Sequence, residues 1–114
     1  MITAGVDVGA ETVKVVIVKD GKILSHSLVK AGMDRQKSAE EALANALKEA
    51  KISKADIKKI TATGIGRKEI TWANDMVTEI AAGAKGANNV FPSARTVIDI
   101  GAEESRGVKV NAEG

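Results

Sequence analysis

The sequence predicts an α/β fold in which helices pack on a single mixed sheet. Three observations lead there. Apolar residues alternate through the first eight positions, an Asp-Gly pair follows a second apolar run, and a capped amphipathic helix separates the third run from a fourth. The first two imply a three-stranded antiparallel meander; the third brings the chain back as a strand parallel to the first.

Ile2 to Val8 puts Ile2, Ala4, Val6 and Val8 on one face, the period of a strand. Gly9-Ala10-Glu11 turns the chain. Val13 to Lys19 (VKVVIVK) is apolar at successive positions and reads as a strand covered on both sides. Asp20-Gly21 is a strong hairpin signal and leads into a third strand, Lys22 to Lys30. Ser38-Ala39-Glu40-Glu41 has the form of a capping box with Ser38 as N-cap. Ala39, Ala42, Leu43, Ala46, Leu47 and Ala50 then recur at helical spacing. Ser53 to Asp56 caps a short helical turn ending near Lys59. Lys59 to Thr63 (KITAT) is the parallel fourth strand, broken by Gly64-Ile65-Gly66-Arg67. A second helix is expected from Thr71 to Asn88, burying Val77, Ile80, Ala81 and Ala84. Gly83 and Gly86 would let it lie close on the sheet, and Pro92 stops it. Arg95 to Ile100 and Arg106 to Val110 form a last hairpin.

Composition removes several functions. The 114 residues are 44% hydrophobic, carry a net charge of +2, and include only Trp72 and Phe91 as aromatics. Neither a basic field nor a stacking platform for nucleic acid is present. The chain has no cysteine and one histidine, His26, so it offers no disulfide, thiolate cluster or His-rich metal site of its own. His26 reads as a surface strand residue and Trp72 as packing. MITAGVDVGAE is unlike a signal peptide and no apolar run reaches the ~20 residues that span a bilayer, so no membrane role and a cytoplasmic location are expected.

The chemistry lies in a repeated spelling. VDVGAET (Val6 to Thr12) and IDIGAEE (Ile98 to Glu104) are each a strand ending in Asp, then a Gly-containing turn. Glycine lets a phosphate approach the main chain, and consecutive turn N–H groups form an anion nest. The aspartates, Asp7 and Asp99, can hold Mg²⁺ through water. Two such hairpins can grip the β- and γ-phosphates of a nucleotide, and phosphoryl transfer rests mostly on positioning and charge neutralisation. A single Asp-x-Gly turn is common; the repetition carries the signal.

The paired hairpins resemble those of the actin, sugar-kinase and Hsp70 ATPase superfamily, with its ribonuclease-H-like (actin-type ATPase) domains. TATGIGR (Thr61 to Arg67), VTEIAAGAKGA (Val77 to Ala87) with Pro92 after it, and TVIDIGAEE (Thr96 to Glu104) are more specifically similar to the ATPase activators of 2-hydroxyacyl-CoA dehydratases and the nucleotide-binding subunits of benzoyl-CoA reductase. The resemblance implies ATP and Mg²⁺ as cofactors. It implies ATP hydrolysis coupled to low-potential electron transfer into an acyl-CoA or aryl-CoA enzyme. A [4Fe-4S] cluster would be held by cysteines beyond this chain. The implied partners are a homologous subunit, in a homo- or heterodimer, and the reductase or dehydratase component. Residues 1–93 would be a first domain and residues 94–114 the opening hairpin of a second, making the chain a fragment expected to lack ATPase activity alone.

Carried over residue by residue, Asp7 and Gly9 match the first phosphate loop and Asp99 and Gly101 the second. The Thr12 hydroxyl would meet a phosphate, and Lys14 also matches the family, reading equally as a solvated strand lysine. Glu79 would orient the attacking water or be an exposed helical glutamate. Gly64, Gly66 and Arg67 would line the nucleotide site, or the G-x-G would serve only the turn. Two departures stand out: Ala10-Glu11 where the family often has small hydroxyl residues, and Gly101-Ala102-Glu103-Glu104 where it often has Gly-Gly-Gln-Asp. A glutamate ~4 Å from a phosphate costs about 1 to 4 kcal/mol, depending on the local dielectric. The altered second loop leans toward a benzoyl-CoA reductase subunit. The rival readings are a small-molecule kinase of the same superfamily and a non-catalytic interaction domain.

Overall fold

The strands follow directly from the alternation. β1 (Ile2–Val8), β2 (Thr12–Lys19) and β3 (Lys22–Lys30) form the expected meander. At its second turn Asp20 and Gly21 both have positive φ, 49° and 82°, the geometry an Asp-Gly hairpin turn requires. The helix α1 (Arg35–Ala50) crosses over, and β4 (Lys59–Thr63) returns parallel to β1. β5 (Asp75–Met76) adds beside β4, giving the order β3-β2-β1-β4-β5. The computed structural model describes residues 1–101 and 105–114, which divide into two units, Met1–Met76 and Val77–Gly114.

The core of the first unit is the α1 side of the sheet. Val6, Val8, Val13, Val15 and Ile17 are its largest fully buried side chains, clustered with Ala39, Ala42, Leu43 and Ala46 of α1. Each is worth roughly 1.5–3 kcal/mol in area removed from water. β3 presents Ser25 and Ser27 on this side instead. Their hydroxyls donate to the carbonyl oxygens of Ala46 and Ala42, at 2.7 and 2.5 Å. β2 is an interior strand, but within this unit only one of its faces is fully buried; Val16 and Val18 remain half-exposed.

Three local expectations are corrected. The N-cap of α1 is Asp34, whose carboxylate accepts from the N–H of Lys37 at 3.1 Å. Ser38 lies inside the first turn, where its hydroxyl accepts from the Gly32 N–H (2.9 Å) and donates to the Asp34 carbonyl (3.2 Å). The second helix, α2 (Glu79–Val90), starts eight residues later than expected, with Thr78 as its cap. The stretch before it is held by distant partners. Thr71 donates through N–H and hydroxyl to the Gln36 side chain, and Asn74 pairs with the Ile60 backbone in both directions. Finally, α2 has no fully buried side chain: Val77, just before it, and Ala84 are half-buried, while Ile80 and Ala81 are exposed. Among the described residues nothing lies within 4 Å of a methyl built at Gly83 or Gly86.

The second unit pairs β6 (Thr96–Ile100) with β7 (Ser105–Lys109) as an antiparallel hairpin, as expected. Lys85 and Asn88 of α2 donate to the carbonyls of Glu113 and Ala112. The division after Met76 groups α2 with this hairpin, whereas the sequence motifs place the boundary after residue 93.

Candidate functional site

β1 and β4 run parallel and end side by side, and β2 begins beside them. Register therefore lines up three residues across three strands, Lys14, Asp7 and Thr63. Asp7 alternates with buried Val6 and Val8, so it stands on the face away from α1. The Lys14 ammonium lies 3.5 Å from Asp7 Oδ2 and donates to Thr12 Oγ1 at 3.0 Å. Both charged side chains are a little over two-fifths exposed. Such a pair contributes at most about 1 kcal/mol, so stability is a poor reason for its presence.

The turn between β1 and β2 is fixed from both ends. Gly9 N–H donates to the Thr12 carbonyl at 2.9 Å, and the Glu11 carbonyl accepts from Ala31 N–H at 2.8 Å. A Cβ at Gly9 would stand 3.0 Å from that Thr12 oxygen and 3.6 Å from the Lys14 ammonium. The N–H groups of Ala10 and Glu11 have no partner among the described residues. Two consecutive main-chain donors with an ammonium close by make a nest for an anion. The Glu11 side chain is exposed; Glu103, its counterpart in the second loop, lies outside the described residues.

The Gly64-Ile65-Gly66-Arg67 turn is clamped onto the end of β1. Gly64 has φ 94°, and a Cβ there would stand 2.3 Å from the Val8 carbonyl oxygen and 2.8 Å from Asp7 Oδ1. A Cβ at Gly66 would stand 2.5 Å from Val8 Cγ1, and the Gly66 N–H donates to the Val8 carbonyl at 3.1 Å. Arg67 closes the turn with two bonds to the Gly64 carbonyl, from its N–H (3.2 Å) and its guanidinium (2.8 Å). Both glycines thus answer a steric demand.

Of the residues proposed from sequence, Asp7, Gly9, Thr12, Lys14, Gly64 and Gly66 gather at this one end of the first sheet. Glu79, Asp99 and Gly101 belong to the second unit: Glu79 opens α2, and exposed Asp99 lies on β6 opposite Arg106 in register. Sequence reasoning misses Thr63. Its Oγ1 is buried without a hydrogen-bond partner among the described residues, and only its place just before Gly64, at the end of KITAT, hints at it.

The donor set suits Mg²⁺ bound through water. Among the described residues no three His, Cys, Asp or Glu side chains gather into a metal cage, and Mg²⁺ typically uses one or two carboxylates while keeping several waters. An iron–sulfur cluster does not fit, since the chain has no thiolate. Among the described residues no helix is long and apolar enough to cross a membrane.

The model of the BadF/BadG/BcrA/BcrD ATPase family matches residues 4–114. The chain is 36% identical over 115 residues to the activator of lactoyl-CoA dehydratase of Anaerotignum propionicum, covering 100% of this chain and 44% of the relative. It is 31% identical over 118 residues to one of the subunits of benzoyl-CoA reductase from Thauera aromatica, covering 99% of this chain and 42% of that protein. Among solved structures, the activator of the 2-hydroxyisocaproyl-CoA dehydratase from Clostridium difficile with bound ADPNP superposes with a TM-score of 0.91 at 30% identity. That match covers 98% of this chain and 42% of the activator. The chain therefore spans less than half the length of these relatives.

Proposed function

The chain belongs to the BadF/BadG/BcrA/BcrD ATPase family, and from that premise we propose that it forms the phosphate-gripping part of an ATP-driven activating subunit. The resemblance drawn from TATGIGR and the two Asp-x-Gly hairpins holds, and so does the actin-type ATPase fold. The subunit would couple ATP hydrolysis to low-potential electron transfer into an acyl-CoA dehydratase or aryl-CoA reductase in the cytoplasm. Its partners would be a homologous subunit and that enzyme. The chain would contribute no cluster ligand, as it lacks cysteine.

The β1–β2 turn carries the reading. The free N–H groups of Ala10 and Glu11 receive phosphate oxygens, and the absent side chain of Gly9 lets them come close. Lys14 adds a positive charge to the same anion, with Thr12 holding its ammonium over the turn. Asp7 holds hydrated Mg²⁺, which supplies charge neutralisation on the β- and γ-phosphates when bound. Asp99 and Gly101 repeat the Asp-x-Gly arrangement in the second unit, and Glu79 orients the attacking water. Dehydratase activators at 36% and 30% identity bracket the reductase protein at 31%, so the partner enzyme is of either kind, and the lean toward the reductase drawn from Ala102-Glu103-Glu104 stays a proposal.

Calorimetric titration with a non-hydrolysable ATP analogue, with and without Mg²⁺, tests the assignment. The 114-residue chain should bind in a Mg²⁺-dependent way, weakened at least tenfold in Asp7→Ala, and should not turn ATP over. Equal binding by wild type and variant overturns the role of Asp7. No binding by wild type returns the hairpin to an interaction module.

A further inference from the structure

We propose that Thr63 is a positioning residue of this site: its hydroxyl holds a water molecule shared with Asp7 Oδ1 and so fixes the carboxylate toward a hydrated divalent cation. The proposal rests on the nucleotide reading above and adds to it a residue that no Asp-x-Gly pattern identifies. Three observations carry it. Thr63 is the register partner of Asp7 across the parallel pair β1·β4, on the face away from α1. Its Oγ1 is buried and has no hydrogen-bond partner among the described residues, a condition native proteins rarely leave unsatisfied. And the two oxygens of Asp7 face different neighbours: Oδ2 looks to Lys14 on β2, while Oδ1 turns to Gly64, the residue after Thr63.

Geometry favours a bridging water over a direct bond. Neighbouring strands lie about 4.8 Å apart, and two hydrogen bonds of about 2.8 Å through one water span such a gap. Buried waters of this kind typically join otherwise unsatisfied polar groups. Lys14 on one side and Thr63 with its water on the other would then hold the carboxylate plane still. An outer group that orients a metal-side carboxylate commonly affects metal affinity about as strongly as tenfold or more.

The test is Mn²⁺ uptake, followed by electron paramagnetic resonance in the presence of a non-hydrolysable ATP analogue. Wild type is compared with Thr63→Val, which keeps the shape, Thr63→Ser, which keeps the hydroxyl, and Asp7→Ala. The expected result is about a tenfold rise in half-saturating Mn²⁺ for Thr63→Val, and a Thr63→Ser value within about twofold of wild type. A Thr63→Val value equal to wild type, with Asp7→Ala impaired, overturns the role of Thr63 and leaves the nucleotide site standing. Thr63→Ser as impaired as Thr63→Val also overturns it, because then the methyl group and not the hydroxyl matters. No Mn²⁺ uptake by wild type, or equal uptake by Asp7→Ala, overturns the nucleotide reading and this proposal together.

Discussion

Gly64→Ala should unfold the first unit far more readily than an added methyl group ordinarily does. Two effects add. At φ 94° an L-residue sits in left-handed territory, which costs about 1–2 kcal/mol. The new Cβ also meets the Val8 carbonyl oxygen at 2.3 Å and its carbon at 2.7 Å. Those are backbone atoms at the end of β1, a strand paired on both edges, and Val8 itself is fully buried. They cannot swing aside as a flexible side chain would, so relief requires moving the strand, typically about 1–3 kcal/mol. The sum is about 2–5 kcal/mol. With a urea m-value of about 1–3 kcal/mol/M, the midpoint should fall by roughly 0.7–5 M. Trp72 is the only tryptophan and packs partly buried against the core of this unit, so its fluorescence reports the transition of interest. A Gly64→Ala unfolding free energy within about 0.5 kcal/mol of wild type at unchanged m would refute the steric account of the TGIGR turn.

Gly83→Ala is the opposite case. It is helical, with open space around its would-be Cβ, so it should stabilise the second unit by about 0.5–1 kcal/mol in thermal unfolding followed by circular dichroism. Asp34→Ala removes the cap of α1 and should cost about 1 kcal/mol by urea titration, with Asp34→Asn close to wild type. Asp20 titrates below the usual carboxylate range, chiefly because the Met1 ammonium hydrogen-bonds it at 2.7 Å and then through that group's charge. Its folded value is depressed, so its small contribution to stability is present above about pH 3.9 and is lost as pH falls through the lower folded value. A carbon-detected NMR titration of Asp20 should show this, and N-terminal acetylation should return the carboxyl to its ordinary range.

The elements that sequence predicts well are those whose causes are local. Asp20-Gly21 needs only its own dihedrals, β1 needs only alternation, and β2 is legible as a continuous apolar run. Ser38 misleads because two nearby positions have capping chemistry. Asp34 takes the cap, and Ser38, one turn in, ties Gly32 to the helix instead. The start of α2 misleads for a nonlocal reason. Thr71 is held by Gln36 and Asn74 by Ile60, partners 35 and 14 residues away that no sequence window contains. At the site, Asp7 and Gly9 are legible as a turn motif. Thr63 is not, because its significance comes from standing beside Asp7, which only the β1·β4 register reveals.

The order of the elements also sets what a ribosome must expose. The meander is complete at Lys30, but α1, which covers its valine-rich face, ends 20 residues later at Ala50. At roughly 5–20 residues per second that interval is about 1–4 s. Hairpins close in about 1–10 μs, so β1 to β3 can pair long before their cover exists. For that time Val6, Val8, Val13, Val15 and Ile17 form a bare strip on a three-stranded sheet with open edges, the kind of surface that recruits other nascent chains. Ser25 and Ser27 interrupt the strip along its outermost strand. The same two hydroxyls that later bind the α1 carbonyls keep the unfinished sheet less adhesive until the helix arrives.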